Sequence, residues 1–244
     1  MKGIVLAGGQ GIRLYPLTRV TNKHLLPVGK EPMIFHPIKQ LVSAGINQIL
    51  VVTSTDHMGD IVKVLGSGKD FGCEFTFRVQ EEPKGIAHAL SLAESFASND
   101  KIVVFLGDNI FEYSIRPYVK NFENQKEGAR VLLKKVSKPE RFGIAAMDEE
   151  HIIEIEEKPS SPKTDYAVVG VYMYDSEVFN IFKTTKPSAR GEYEITSANN
   201  EYIKRGKLEY DIVEGRWMDT GTFESYLEAN KILYQLNNEI KRKE

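Results

Sequence analysis

Residues 3–13 read Gly-Ile-Val-Leu-Ala-Gly-Gly-Gln-Gly-Ile-Arg, an apolar run that feeds straight into three glycines and an arginine. Gly8, Gly9 and Gly11 remove Cβ atoms where a backbone would have to wrap an anion closely. Successive N–H groups in such a turn form an anion-binding concavity, and Arg13 adds a planar fork of donors matched to phosphate. Residues 1–30 carry Lys2, Arg13, Arg19, Lys23 and Lys30 and no Asp or Glu. The chemistry this suits is the binding of a polyphosphate such as a nucleoside triphosphate. The order Gly-Gly-x-Gly-x-Arg matches neither the dinucleotide fingerprint nor the Lys-Ser/Thr phosphate loop. A flexible turn is the competing reading of the glycines alone; Arg13 and the one-signed segment favour the anion.

Four further clusters could act with this loop. Asn22-Lys23-His24-Leu25-Leu26-Pro27 sets Lys23 a short stretch beyond the glycines. Leu106-Gly107-Asp108-Asn109 ends an apolar run with a carboxylate, a common way to hold a hard cation against phosphate oxygens. Glu156-Glu157-Lys158-Pro159 places opposite charges side by side before a proline, and Trp217-Met218-Asp219-Thr220-Gly221-Thr222 surrounds a second aspartate with turn residues. Taken singly, each has a plain reading as a solvated lysine, a capping aspartate or a polar strand exit. The five histidines, His24, His36, His57, His88 and His151, show no ligand-like spacing and read as structural or exposed.

These groups need a scaffold, and the pattern names one. Ile4–Ala7, Gln48–Thr53 and Ile102–Leu106 are short, β-branched and not alternating, as strands buried on both faces are. Between them Pro32–Ala44 and Gly85–Ala97 read as helices, the latter with Ile86, Ala89, Leu90, Ala93, Phe96 and Ala97 on one face. Strand–helix–strand repetition implies an α/β fold with a doubly wound, mixed but mainly parallel open sheet flanked by helices, whose ligands bind at the carboxyl ends of the strands. The glycine loop and Asp108 both sit at such ends. In the second half, Val131–Val136, Ile152–Glu156, Val168–Tyr174 and Leu208–Val213 read as strands, and Ser176–Phe182, Ile195–Arg205 and Phe223–Leu236 as helices. No linker or repeat divides the chain. It reads as one domain over 1–244, with a nucleotide-binding half (1–125) and a second half (126–244) whose strands form a subregion for a second substrate, which the resemblance given below makes a sugar phosphate.

Bulk properties narrow the class. The 244 residues are 41% hydrophobic and 27% charged with a net charge of −2, which is ordinary for a globular protein and argues against general nucleic-acid binding. The single cysteine, Cys73, excludes an intramolecular disulfide and falls in a strand-like run, Phe71–Val79, as a small core residue. No apolar run is long enough to cross a bilayer, and no signal-peptide pattern opens the chain, so a cytoplasmic location is expected.

Together the clusters resemble one family, the sugar-1-phosphate nucleotidyltransferases, in the members that transfer a thymidylyl group. Lys2–Arg13 is similar to its G-G-x-G-x-R signature, Lys23–Pro27 to K-x-L-L-P, and Leu106–Asn109 to its L-G-D-N element. Gln80 with Gly85-Ile86-Ala87, Arg141-Phe142-Gly143, Glu156–Pro159, Arg190–Thr196 and Trp217–Thr222 continue the series in order. The resemblance implies a Rossmann-like nucleotide-diphospho-sugar transferase fold, Mg2+ as cofactor, and dTTP and glucose 1-phosphate as substrates, with no polymer or membrane partner and a possible homo-oligomer. It implies Leu6, Gly8, Gly9, Gly11, Arg13, Lys23, Gln80, Gly85 and Asp108 as nucleotide-binding residues, and Asp108 and Asp219 as metal ligands. Asn109, Gly143, Glu157, Lys158 and Tyr172 fall to the sugar phosphate, with Glu192 and Glu194 as further candidates. Arg13, Lys23, Asp108 and Lys158 carry the catalytic burden. UTP in place of dTTP is the nearest alternative, and a catalytically silent sugar-nucleotide-binding subunit is another. Ile12, Ser197 and His88 depart from the family pattern, and the chain resembles its short form, without the C-terminal extension associated with effector control.

Overall fold

The computed structural model describes residues 1–241, and their side chains through residue 236. In the first half, β1 (Lys2–Ala7) leads to a tight hairpin of β2 (Pro27–Val28) and β3 (Glu31–Pro32), then α1 (Phe35–Ser43), β4 (Gln48–Ser54), α2 (Met58–Leu65) and β5 (Glu74–Gln80). There follow α3 (Ile86–Ser91), α4 (Glu94–Ala97), β6 (Ile102–Leu106), β7 (Asn109–Phe111) and α5 (Arg116–Asn124). The second half holds β8 (Ala129–Lys135), β9 (Gly143–Asp148), β10 (His151–Glu157), β11 (Tyr166–Tyr174) and α6 (Glu177–Thr184). It closes with α7 (Ile195–Lys204), β12 (Leu208–Ile212), β13 (Trp217–Asp219) and α8 (Phe223–Lys241).

Nine of these strands form one twisted sheet in the order β10-β9-β11-β6-β1-β4-β5, with β8 on β11 and β12 on β8. The four strands that the first half gives to this sheet, β1, β4, β5 and β6, are parallel, as the expected crossovers require, and β11 enters beside β6 antiparallel. Side chains alternate along β1: Ile4 and Leu6 meet α3, α6 and α7 on one face, while Val5 and Ala7 meet α1, α2 and α5 on the other. Burial on both faces is why these strands show no polar alternation in sequence. A third, smaller cluster of Leu14, Leu26, Val28, Met33, Ile110, Met218 and Ala229 pins the segment after the glycines onto β7, β13 and α8.

Several expected elements shift. The helix over Gly85–Ala97 divides at Leu92–Ala93, where the Ala93 N–H bonds back three residues to Leu90 and tightens the turn. The strand expected over Phe71–Val79 begins at Glu74, because Gly72 sits at φ 74° and ends a preceding short turn. Cys73 therefore precedes the strand and is half-buried against Gly68 and the α1–α2 face. Helices α2 and α5 and the three-residue strands β7 and β13 gave no separate signal in the pattern.

Candidate active site

The site forms where β1 and β6 end and where β7 meets β13. Those two strands are antiparallel, with Asn109 opposite Asp219 and Phe111 opposite Trp217. The ladder is extended by Thr220, whose N–H and Oγ1 both donate to the Asp108 carbonyl at 2.9 and 2.6 Å. Two carboxylates 111 positions apart in the chain thereby come to one place. A Cβ built on Gly221 would stand 3.0 Å from Asp219 Oδ1, 3.5 Å from Asp108 Oδ2 and 2.9 Å from Arg13 Nη2. Gly221 keeps that space open.

Charge is finely distributed here. Lys23 Nζ meets Asp108 Oδ2 at 2.5 Å, with the two side chains only 11% and 12% exposed, and Asn109 Nδ2 donates to Asp108 Oδ1 at 2.9 Å. Burial alone would raise the Asp108 carboxyl; the Lys23 charge and these hydrogen bonds hold it well below the usual carboxylate range. Asp219 goes the other way, pushed up first by burial and then by the Asp108 charge, with Lys23 and Arg13 opposing. Its second oxygen lies 3.6 Å from Arg141 Nη2. Two largely buried carboxylates face one gap, and the Asp108 charge adds to the burial that raises Asp219, so a further cation placed between them is favoured. Among the described residues no group of three or more His, Cys, Asp or Glu could hold a metal by itself. A pair of carboxylates completed by substrate phosphates is the arrangement that suits a small hard cation such as Mg2+.

Two cavities open from this point. The first, about 250 Å³, is lined by Leu6, Gly8, Gly9 and Lys23 on one side and by Gln80, Gly85 and Asp108 on the other. The second, about 470 Å³, is lined by Asp108, Asn109, Gly143, Glu157, Lys158 and Tyr172, together with Arg13 and Asp219. The structure brings most residues of each sequence-based set to one cavity, with three differences. Gly11 lines neither cavity: at φ 68° it packs where a Cβ would stand 2.7 Å from Thr18 Cγ2. Arg13 lies with the sugar-side residues because its turn folds towards Gly221. Glu192, expected beside the sugar, lines the nucleotide-side cavity, whereas Glu194 lines the sugar side.

The structure also explains why glycine stands at the loop. A Cβ on Gly9 would come 2.9 Å from Lys23 Cε, so the missing side chain makes room for the lysine. Gly85, at φ 98°, lies against the Tyr193 backbone, whose N–H donates to the Lys84 carbonyl and whose carbonyl accepts from the Ala87 N–H. That pairing ties the two cavities' rims together.

Further contacts complete the site, several of them from residues that the sequence offered only as members of motifs. Arg190 Nη2 reaches Glu194 at 2.6 Å, Glu192 at 3.5 Å and Glu157 at 3.7 Å, gathering three carboxylates around one guanidinium. Thr196 Oγ1 donates to Glu157 Oε2 at 2.9 Å. Asn109 Oδ1 accepts from Gly170 N–H and Trp217 Nε1–H, and a Cβ on Gly170 would stand 2.4 Å from that oxygen. Lys158 adopts φ 48°, an uncommon conformation for a side-chain-bearing residue, and its N–H is held by the Phe142 carbonyl at 3.0 Å. Two histidines sit at the site rather than away from it. His24 is fully buried between Lys23 and Gly107, and burial followed by the Lys23 charge drops its imidazole to about 3, so the ring is neutral. His88 contacts Gln80.

The model of the nucleotidyl transferase family matches residues 2–235. A glucose-1-phosphate thymidylyltransferase of Neisseria meningitidis is 44% identical over 98% of this chain and 84% of its own length. One from Mycolicibacterium smegmatis is 41% identical over 94% of this chain and 81% of its own. A crystal structure from Bacillus anthracis, described as a glucose-1-phosphate thymidylyltransferase in complex with sucrose, superimposes with a TM-score of 0.92 at 58% identity, covering 96% of this chain and 95% of that one. A UDP-glucose pyrophosphorylase bound to UDP-glucose shares the fold at 24% identity and a TM-score of 0.85, over 96% of this chain and 98% of that one. With its mixed sheet, paired cavities and shared carboxylate gap, this chain belongs to the nucleotidyl transferase family.

Proposed function

We infer that this chain transfers the thymidylyl group of dTTP to glucose 1-phosphate, giving dTDP-glucose and pyrophosphate in a Mg2+-dependent reaction. The observation that carries the reading is the meeting of Lys23, Asp108, Arg13 and Asp219 at the boundary of two cavities, one bordered by an amide reader and the other by a polar, sugar-sized lining. Relatives named for this activity align over nearly the whole chain.

The attacking phosphate oxygen of glucose 1-phosphate is already an anion at neutral pH, so the reaction needs no strong general base. That oxygen attacks the α-phosphorus in line, and the bond to the β-phosphate oxygen breaks with its electron pair leaving on pyrophosphate. The protein's part is positioning and charge neutralisation. Gln80 and Gly85 hold the pyrimidine beside Leu6, while Gly8 and Gly9 bring backbone N–H groups to the triphosphate. Lys23 and Arg13 counter charge on the departing pyrophosphate. Lys158 holds the incoming phosphate, and Asn109, Gly143, Glu157 and Tyr172 shape the sugar pocket. Tyr172 keeps its proton, because burial and then the Glu157 and Asp108 charges raise it, and so offers a hydroxyl donor. Mg2+ held by Asp108 and Asp219 would supply positive charge to the phosphate oxygens. Both substrates belong to the cytoplasm, where we place the reaction; no helix among the described residues is long and apolar enough to cross a membrane.

Incubation with Mg2+, glucose 1-phosphate and each triphosphate in turn, with pyrophosphate release as the readout, tests the reading. Pyrophosphate and dTDP-glucose from dTTP, faster than from UTP, are expected. A preference for UTP would reassign the nucleotide, and silence with every triphosphate would mark a sugar-nucleotide-binding module.

A further inference from the structure

Gln80 ends β5, is buried, and lines the nucleotide-side cavity. Its orientation is fixed by chemistry. The Gly85 carbonyl can only accept, and it receives Gln80 Nε2 at 3.3 Å; the same carbonyl takes Ala89 N–H at 3.2 Å, which anchors it to the first turn of α3. The second N–H of Gln80 meets His88 Nδ1 at 3.0 Å, so this nitrogen accepts and the imidazole proton resides on Nε2. Both donors of the Gln80 amide are thus engaged inside the protein. Its Oε1 faces the glycine loop, 3.1 Å from where a Cβ on Gly8 would stand.

We propose that His88 is a positioning residue that locks Gln80 as a hydrogen-bond acceptor towards the cavity, and so sets the site for bases with an N–H at ring position 3, thymine and uracil, over cytosine. His88 does not line that cavity. It stands behind Gln80 on α3, its ring 6.3 Å from that of Tyr193. If the amide turned over, Nε2 would face the N3–H of the base, donor against donor, and Oε1 would face the Gly85 carbonyl. The Gly85 bond resists that rotation, and His88 adds the second hold. Sequence motifs give the glutamine but not its polarity; only the partner of each amide hydrogen does.

The inference rests on the nucleotide assignment above, and its test separates the two. His88→Phe keeps an aromatic ring beside Tyr193 and removes the acceptor; His88→Gln restores one through its own amide oxygen. Equal thermal melting of both variants and the parent controls for folding. The Phe variant is expected to raise KM for dTTP about three- to tenfold, the range of one lost hydrogen bond. Its kcat and its KM for glucose 1-phosphate are expected to hold, and its kcat/KM preference for dTTP over dCTP to fall by a similar factor. His88→Gln should restore both. In nitrogen-15 NMR, the Gln80 side-chain protons, assigned by their disappearance in Gln80→Met, should be protected from exchange in the parent and in His88→Gln, with one losing protection in His88→Phe. Unchanged KM, base preference and amide protection in His88→Phe would overturn the proposal, as would a His88→Gln variant as impaired as the Phe one. If the amide signals behave as expected but the parent releases no pyrophosphate from any triphosphate, the lock stands and the functional reading falls.

Discussion

The two cavities differ in how their polar groups are held. On the nucleotide side the side chains are buried and satisfied at short range: Lys23 by Asp108, His24 Nδ1 by Asn22 Oδ1 at 2.7 Å, and Gln80 by Gly85 and His88. Gln80 and Asp108 sit at the ends of parallel strands locked between two helical layers, and Lys23 and His24 on a short helical turn between β1 and β2. On the sugar side Lys158 is 47% exposed, and Glu157 and Glu194 are gathered by an Arg190 that is itself half-exposed. Those residues come from antiparallel strands and from the loop before α7. Exposed ion pairs are worth little and rearrange readily, whereas a buried pair cannot lose one member without penalty. The nucleotide side is therefore preformed, and the sugar side is free to adjust to its ligand. Substitutions should respond accordingly.

The largest effect is expected on the preformed side. Asp108→Asn removes a charge from the carboxylate gap and leaves Lys23 buried without its counter-ion. Turnover should fall by about 10²–10³-fold, and the melting temperature should fall as well because an unpaired buried charge is costly. Steady-state kinetics and thermal unfolding read the two losses; a variant with near-parental Mg2+-dependent turnover would break the assignment. The wall of the second cavity comes next. Gly170→Ala drives a Cβ into Asn109, which cannot retreat while Trp217 and Gly170 hold it. We expect destabilisation of about 1–3 kcal/mol by denaturant unfolding, with a drop in kcat. Lys158→Ala, on the adjustable side, should raise KM for glucose 1-phosphate about tenfold, the worth of one charge-assisted contact. Its KM for dTTP and its stability should stay near parental values. Equal changes in both KM values would erase the contrast between the cavities.

Acid sharpens the same comparison. In the unfolded chain an imidazole takes its proton near 6.5, while buried His24 resists it down to about 3. The unfolded state thus binds more protons between those values, and stability must fall as pH drops from 6.5 towards 3, by about 1.4 kcal/mol per unit from this group. Denaturant unfolding across that range should show a shallower slope in His24→Gln. An unchanged slope would remove His24 from the buried set.

How much of this was legible in sequence follows from how each feature is built. Ile4–Ala7, Gln48–Thr53 and Ile102–Leu106 announced themselves because two-sided burial leaves an uninterrupted apolar run. Lys23, Asp108, Lys158 and Asp219 were legible as charges inside turn-forming motifs. The convergence of Asp108 with Asp219 was legible only through the family resemblance, since it depends on a three-residue ladder between β7 and β13 whose register no periodicity encodes. Gly170 and Gly221 gave no signal because their role is to leave space for Asn109 and for the carboxylate gap. His24 and His88 read as bystanders by spacing, yet burial and a single partner atom bring each to the site.

The most direct test follows the label of α-phosphorus-labelled dTTP into product, comparing the parent with Asp219→Asn. The account predicts that the parent moves the label into dTDP-glucose while pyrophosphate leaves unlabelled, and that Asp219→Asn slows the transfer at least about a hundredfold. Transfer at the parental rate in that variant, or label departing with the pyrophosphate, would contradict it.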